Sequence, residues 1–497
     1  MATRDLLLGL DLGTSSLKGI FLNGNGEILA KHEIALATHR SGSHGEVAEQ
    51  NAHDYRDALV EFINVANKSH ELIGRVKAIG LSGHTPSLVP IDSNGEPTAP
   101  VMIWQDNRAS TEARALAERF GDPRKIIGTS LPWSPSTTAA KALWLRKNSN
   151  ALVAKTRWLL QPKDYLGFLL TGAAISDPWS TKGLCNVRTQ QPLDEVLDFI
   201  GWSGDVVPAL RDGFASRGVT SEKCASAFGV PSGIPVSVGW SDAMCGMLAL
   251  GVFAKPTSFI ITGTSAIVGT STASAPEHDQ PLYLIPDGAA PNPVIFGPTQ
   301  MSGGSISWAA QLFGITENEF ISRGAANSSA QVPTYLPYIA GERAPLWRED
   351  IRGSYTNISI THDSSAFARA TMEGICFAER QVVELSQQLT KSNLDEHGEH
   401  GEIVISGKAG NDPRWLATRL RTMGRALRVV DDVEITCRGA AILADVIHTQ
   451  NISASTAALS VSGNVVHPSN ADREYGNVNY QIFLAEQEAL LAKTALR

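Results

Sequence analysis

The tripeptide Gly-Thr-Ser interrupts the chain twice between apolar runs, at residues 13–15 and again at 263–265. Leu6–Asp11 and Leu17–Leu22 flank the first copy, and Thr257–Thr262 and Ala266–Ser271 flank the second. Runs of that length around a glycine turn predict antiparallel strand pairs. Taken alone, either copy is a plain hairpin with polar turn residues. The pair constrains the fold because α/β alternation follows each copy, so the chain reads as two related lobes. They differ at one place: Asp11 lies two residues before the first glycine and Ile261 two before the second. Two related hairpins, only one acidic, suggest two lobes gripping one polyphosphate from opposite sides.

The remaining pattern fits that outline. Asn25-Gly26 predicts a further hairpin into Glu27–Ile34. Asn51–Ser69 has helical period, with Tyr55, Leu59, Phe62, Ile63 and Ala66 on one face. Val76–Leu81, Leu88–Ile91 and Val101–Trp104 are expected strands. In the second half, Ser364–Leu389 is a long helical pattern and Glu402–Ser406 a buried strand. Asp412–Gly424 is expected to be helical, Leu427–Asp431 a strand, and Arg438–Val446 and Tyr480–Leu496 helices. The expected division is 1–248, 249–450 and a C-terminal extension 451–497 packing on the second domain. No low-complexity linker joins them, so the junction is expected to be a hinge.

Composition narrows the function. With 497 residues the chain exceeds one compact core. Hydrophobic residues at 43% and a net charge of −8 describe an ordinary globular protein and oppose a broad nucleic-acid surface. Five scattered cysteines, none in a C-x-x-C pair, give neither a zinc knuckle nor a disulfide framework and suit a reducing compartment. No apolar stretch approaches the roughly 20 residues that span a bilayer, and Leu6–Leu12 is too short for a signal core. The expectation is a soluble cytoplasmic protein with no nucleic-acid or membrane partner.

Several residues have the chemistry of an anion or metal site. Gly13 lets a ligand approach the backbone, Thr14 and Ser15 supply hydroxyl donors, and Asp11 can hold Mg²⁺ through water. Asp242 stands between a strand-like Val236–Gly239 and a helical Ala243–Leu250. It reads equally as a helix cap and as a base at an anion-favouring helix start. His84, in Ser82-Gly83-His84-Thr85-Pro86-Ser87, is a substrate contact or an ordinary buried imidazole. Trp104, Asp106 and Arg108 suit hydroxyl recognition or a loop salt bridge. His397-Gly-Glu-His400 reads as an exposed polar loop. Ser406-Gly407-Lys408-Ala409 is not a Walker A loop, since Glu402 stands where the leading glycine belongs and Ala409 where Ser or Thr belongs.

The opening Asp11–Lys18 resembles the first phosphate motif of the actin-like ATPases. Val101–Arg108, Gly239–Asp242, Pro337-Tyr-Ile-Ala-Gly341-Glu342-Arg343-Ala-Pro345 and Ser406–Asn411, in family order, resemble the FGGY carbohydrate kinases. The resemblance implies two RNase H-like (actin-like ATPase) α/β domains flanking a central cleft, with ATP and Mg²⁺ as cofactors. It implies that Asp242 accepts the proton of the attacking hydroxyl and, with Asp11, faces the metal through water. It places the nucleotide at Asp11, Gly13, Thr14 and Ser15, at Gly263, Thr264 and Ser265, at Gly303 and Ser307, and at Gly407 and Asn411. It places the sugar at His84, Thr85, Trp104, Asp106, Arg108 and Asp242.

Three positions depart from the family pattern. Thr85 and Pro86 stand where xylulokinases carry Met-His and glycerol kinases Arg-Glu, and Lys408 stands where many relatives have glycine. The resemblance therefore points to phosphorylation of a small sugar or polyol, a ketopentose first. The alternatives are another polyol, a hexulose, a branched sugar or an aldonate, and, outside catalysis, an actin-like nucleotide-binding protein. It implies ATP, ADP and a small sugar as partners and leaves room for a homodimer. Gly341-Glu342-Arg343 is expected to be architectural.

Overall fold

The computed structural model describes residues 4–42, 46–70, 72–329, 331–391, 401–407, 410–432 and 434–494. His397, His400 and Lys408 lie outside the described residues. Two compact units emerge. One comprises Met1–Ala254, Ile285–Pro291 and Glu434–Ser460, the other Lys255–Leu284, Asn292–Val433 and Val461–Arg497.

The first unit is built on a mixed sheet in the order Ser216–Val219, Pro235–Ser237, Val76–Gly83, Leu6–Leu12, Ser16–Leu22, Ile28–Ala35. The opening strand pairs antiparallel with Ser16–Leu22 and parallel with Val76–Gly83. Both inner strands are buried along nearly their whole length, as the continuous apolar runs demand. The Ala52–His70 helix lays Tyr55, Leu59, Phe62, Ile63 and Ala66 into the core. Deleting the Phe62 ring costs about 3–5 kcal/mol on general grounds.

A helix from far along the chain, Ile435–Thr449, completes this unit. A linear cut at 249 and 450 assigns it to the second half, whereas here it packs on the opening strands. The fit is backbone to backbone. A Cβ on Gly9 would lie 2.0 Å from the Cys437 carbonyl oxygen, and one on Gly80 1.7 Å from that of Ala440. The small residues of the helix, Gly439, Ala440, Ala441 and Ala444, make that approach feasible.

The second unit repeats the theme. Ser258–Thr262 pairs antiparallel with Ala266–Ser271 and parallel with Ile403–Ser406. Val294–Pro298 extends one side, and Leu427–Val430 followed by the antiparallel Gly463–Val466 extends the other. The Ser364–Thr390 helix buries Ala368, Met372, Ile375 and Val383 against this sheet. The last helix runs from Asn470 to Thr494, ten residues earlier than its apolar period announces. Its start is a reciprocal cap: the Ser469 N–H donates to Asp472 Oδ2 (2.9 Å), and the Asp472 N–H donates to Ser469 Oγ (3.1 Å). All five cysteines are buried free thiols. Among the described residues, no helix is long and apolar enough to cross a membrane.

Candidate active site

In the first unit the candidate residues gather at the C-terminal ends of Leu6–Leu12 and Val76–Gly83. Asp11 pairs across the sheet with Ser82, whose hydroxyl donates to Asp11 Oδ1 at 2.7 Å. The Thr436 hydroxyl, from the first turn of the Ile435–Thr449 helix, donates to Oδ2 at 2.9 Å. Burial raises the Asp11 pKa, and these two hydroxyls oppose the shift.

Asp242 is the first residue of the Asp242–Ala249 helix, and it is not the cap. Ser241 fills that role, accepting from the Met244 N–H at 3.4 Å. The Asp242 carboxylate is thereby left at the positive end of the helix, bonded among the described residues only to the Ala243 N–H at 2.7 Å. Burial, then the charge of Asp11, push it up to about 7, while the Ala243 N–H and Lys182 pull the other way.

Lys182 carries no local signature in the sequence. It is 9% exposed, donates to the Trp179 carbonyl at 3.0 Å, and sits 4.7 Å from that indole's centroid. Burial lowers it to about 8, against the pull of Asp177 and Asp242. Beneath it the fully buried Lys163 bridges Asp164 at 2.5 Å and Asp177 at 2.9 Å, and the Ser180 N–H donates to Asp177. This network fixes an otherwise irregular segment.

The expected sugar residues lie on adjoining segments. The His84 N–H donates to the Leu12 carbonyl at 3.1 Å, and its Nδ1 meets Ser87 Oγ at 2.9 Å. Its Nε2 is buried and has no partner among the described residues. Burial, then Lys141, lower His84 to about 3, so the imidazole is neutral at ordinary pH. Thr85 follows in the same turn. Lys141, wholly buried, joins the two segments by donating to the carbonyls of Pro86 (3.0 Å) and Ile103 (2.8 Å).

The expected Val101–Trp104 strand ends at Met102, because Ile103–Asp106 is a turn closed by the Asp106 N–H. Asp106 and Arg108 bond each other through two guanidinium nitrogens, Nε (2.9 Å) and Nη2 (2.6 Å), and Arg108 Nη1 reaches Glu49 at 2.7 Å. Trp104, 40% exposed, donates its indole N–H to Thr14 Oγ1 at 3.0 Å. The Gly13–Ser15 turn is thus tied to the Trp104 segment. A cavity of about 490 Å³, lined by His39, Glu49, Gln50 and His53 among others, contains none of the candidate residues.

In the second unit three glycines converge. A Cβ on Gly407 (φ 106°) would meet the Thr262 carbonyl oxygen at 2.3 Å, and one on Gly303 would meet that of Gly263 at 2.8 Å. The N–H groups of Ser302 and Gly304 donate to the Thr264 carbonyl at 2.8 and 3.0 Å. Gly263 and Thr264 are exposed and Ser265 half-buried at this end of the sheet. Ser307, one turn into the Gly303–Leu312 helix, instead donates to Glu317 at 2.5 Å. The Asn411 amide donates to Asp431 at 2.9 Å. Glu342 and Arg343 prove architectural: Glu342 accepts from the Gln300 N–H at 2.6 Å and Arg343 donates to the Thr299 carbonyl at 2.6 Å.

Family models match both halves. Residues 6–249 match the N-terminal domain of the FGGY family of carbohydrate kinases, and 258–447 match its C-terminal domain. Xylulose kinase of Bacillus subtilis (strain 168) is 27% identical over 458 residues, covering 88% of this chain and 87% of that protein. Gluconokinase of the same organism is 25% identical, covering 88% and 86%. A solved xyloylose kinase from Brucella ovis superposes with a TM-score of 0.88 at 23% identity, covering 98% of this chain and 99% of that one. Plasmodium falciparum glycerol kinase gives 0.85 at 17%, over 98% and 99%; both show the shared two-domain actin-like ATPase fold. The chain belongs to the FGGY family of carbohydrate kinases, and ATP-dependent phosphorylation of a sugar is its activity.

Proposed function

We propose that the sugar is a ketopentose, phosphorylated as in a xylulose kinase, with Asp242 as the base. The supporting observation is the state of Asp242. Its carboxylate opens a helix, is freed from capping by Ser241, and is pushed up to about 7 by burial and Asp11. A base poised near working pH both accepts a proton from a hydroxyl and releases it afterwards. His84 Nε2, neutral and without a protein partner, is suited to a sugar oxygen. The remaining N–H groups of Arg108 are suited to the same task, with its orientation already fixed by Asp106 and Glu49.

Nucleotide contacts are assigned to Gly13, Thr14 and Ser15 in the first unit and to Gly263, Thr264, Ser265, Gly303 and Gly407 in the second. Ser307 and Asn411 contribute from positions already bonded to Glu317 and Asp431.

Asp11 and Asp242 fit a role for Mg²⁺. Among the described residues no group of three or more His, Cys, Asp or Glu forms a metal cage. Mg²⁺ in kinases is held by one or two carboxylates, water and the nucleotide's phosphates, and two mutually repelling acids supply that set. When bound, the ion offsets phosphate charge. Asp11 holds its carboxylate oriented through Ser82 and Thr436, and Asp242 handles the proton.

A second reading, an aldonate as in gluconokinase, is favoured by Lys182. Its ammonium is nearly buried, uses one donor on Trp179, and is suited to a substrate carboxylate. ADP release with D-xylulose and D-gluconate, each with wild type and Lys182→Met, decides. Turnover of D-xylulose that survives Lys182→Met supports the ketopentose. Turnover of D-gluconate alone, lost in Lys182→Met, replaces it.

A further inference from the structure

Thr14 is held from outside its own turn by two donors. Trp104 Nε1–H donates to its hydroxyl at 3.0 Å, and Gln50 Nε2 donates to its carbonyl at 2.6 Å. Gln50 is anchored in turn, accepting from the Tyr55 hydroxyl at 2.6 Å and donating to Thr38 Oγ1 at 3.0 Å. A threonine hydroxyl has one proton and two lone pairs. With one lone pair engaged by the indole, the proton must point elsewhere, and no protein acceptor takes it among the described residues. Trp104 is also 40% exposed, so its ring remains open to ligand while its N–H is committed.

We infer that Trp104 serves both substrates: its ring forms a wall for the sugar, and its N–H fixes the Thr14 hydroxyl as a donor to a nucleotide phosphate oxygen. A sugar packed on the ring immobilises the indole and with it the Thr14 proton, so occupancy on one side prepares the other. Trp104 is a positioning residue for the nucleotide, acting through Thr14. The inference rests on the reading that the Gly13–Ser15 turn takes phosphate.

A double-mutant cycle of Trp104→Phe and Thr14→Val tests it, reading kcat/KM for MgATP at saturating D-xylulose, or D-gluconate if that is the sugar turned over. Phe retains the wall and deletes the donor; Val retains the shape and deletes the hydroxyl. The expected loss is about threefold to tenfold for Trp104→Phe, with the sugar KM within about twofold of wild type. Thr14→Val loses at least as much, and the double variant is no worse than Thr14→Val. Independent effects at the two positions would multiply instead. Losses that multiply, or a Trp104→Phe variant with unchanged MgATP kinetics, overturn the inference while leaving the phosphate reading intact. Unchanged MgATP kinetics in Thr14→Val overturns both. Melting temperatures within a few degrees of wild type confirm that each variant is folded.

Discussion

The two units carry the same device with different contents. In each, a strand, a Gly-Thr-Ser turn and an antiparallel return strand lie beside a parallel strand that runs into a glycine. Leu12 pairs with Gly83 in the first, and Ile261 pairs with Ser406, just before Gly407, in the second. The first unit places Asp11 before its turn and surrounds it with Ser82, Thr436 and Asp242. The second has Ile261 there, and its turn is packed by backbone, through Gly303 and Gly407. The repeated frame thus carries buried carboxylates in one unit and close backbone approach in the other. Acids act by charge and proton transfer, glycines by shape, so substitutions in the two units should fail in different ways.

The largest difference is expected at Asp242. Asp242→Asn should lower turnover roughly 10²–10⁴-fold while ATP affinity, followed by titration, stays near wild type. Near-normal turnover would falsify the base assignment. The same change should affect stability with a definite sign. A carboxyl whose folded pKa lies near 7, above its ordinary 3.8, favours the fold when protonated and costs stability as pH rises through that window. Asp242→Asn should therefore gain in melting temperature over wild type at pH 8 and gain little at pH 4. The reverse order would mean that Asp242 is stabilised as an ion.

Next in size is the contrast between the terminal glycines. Alanine at 407 places its Cβ 2.3 Å from the Thr262 oxygen at φ 106°, whereas at 83 the nearest atoms lie 3.2 Å away. Urea unfolding should show a loss of roughly 2–4 kcal/mol for Gly407→Ala and about 1 kcal/mol or less for Gly83→Ala. Equal losses would end the distinction between a shape-built turn and a charge-built one.

A smaller effect should appear in the pH profile. The value of kcat/KM for the sugar should fall about tenfold per pH unit below about 7, as Asp242 takes up a proton. Lys182 pulls Asp242 downward, so Lys182→Met should move that limb to higher pH. An unmoved limb would separate the two residues. Smallest is Thr436→Val, which removes one hydroxyl from Asp11 at about 0.5–1.5 kcal/mol. Ile261→Val, at the matching place in the second unit, should leave turnover unaltered.

What could be read from the sequence was whatever a local pattern encodes. The hairpins, the Ala52–His70 face and a helix next to Asp242, expected over Ala243–Leu250 and found one residue earlier, follow from period and turn chemistry. The family spacing singled out Asp11, Gly263 and Gly407, but not what they touch. Ser82, Thr436, Lys141 and Lys182 act over tens to hundreds of residues, and nothing beside them announces it. At Asp242 the cap reading fails, because its neighbour Ser241 does the capping. At Asp106 and Arg108 the salt bridge is present, and it orients the arginine without using all its donors. The final helix began early because a Ser-x-x-Asp start outweighed a weak apolar period.

The Ile435–Thr449 helix has a consequence for the order of events on the ribosome. Its carbonyls rest directly on Gly9 and Gly80, so the sheet made first is covered by a segment made nearly last. Until residue 449 has emerged, the opening strands lack a lid and Asp11 lacks Thr436. The second unit is still waiting at that point for Val461–Arg497. Neither unit can close before the last stretch of synthesis, so the N-terminal unit does not mature first in the usual way: a nascent chain halted near residue 430 would hold a first unit without its covering helix and a second unit without Gly463–Val466 and Asn470–Thr494.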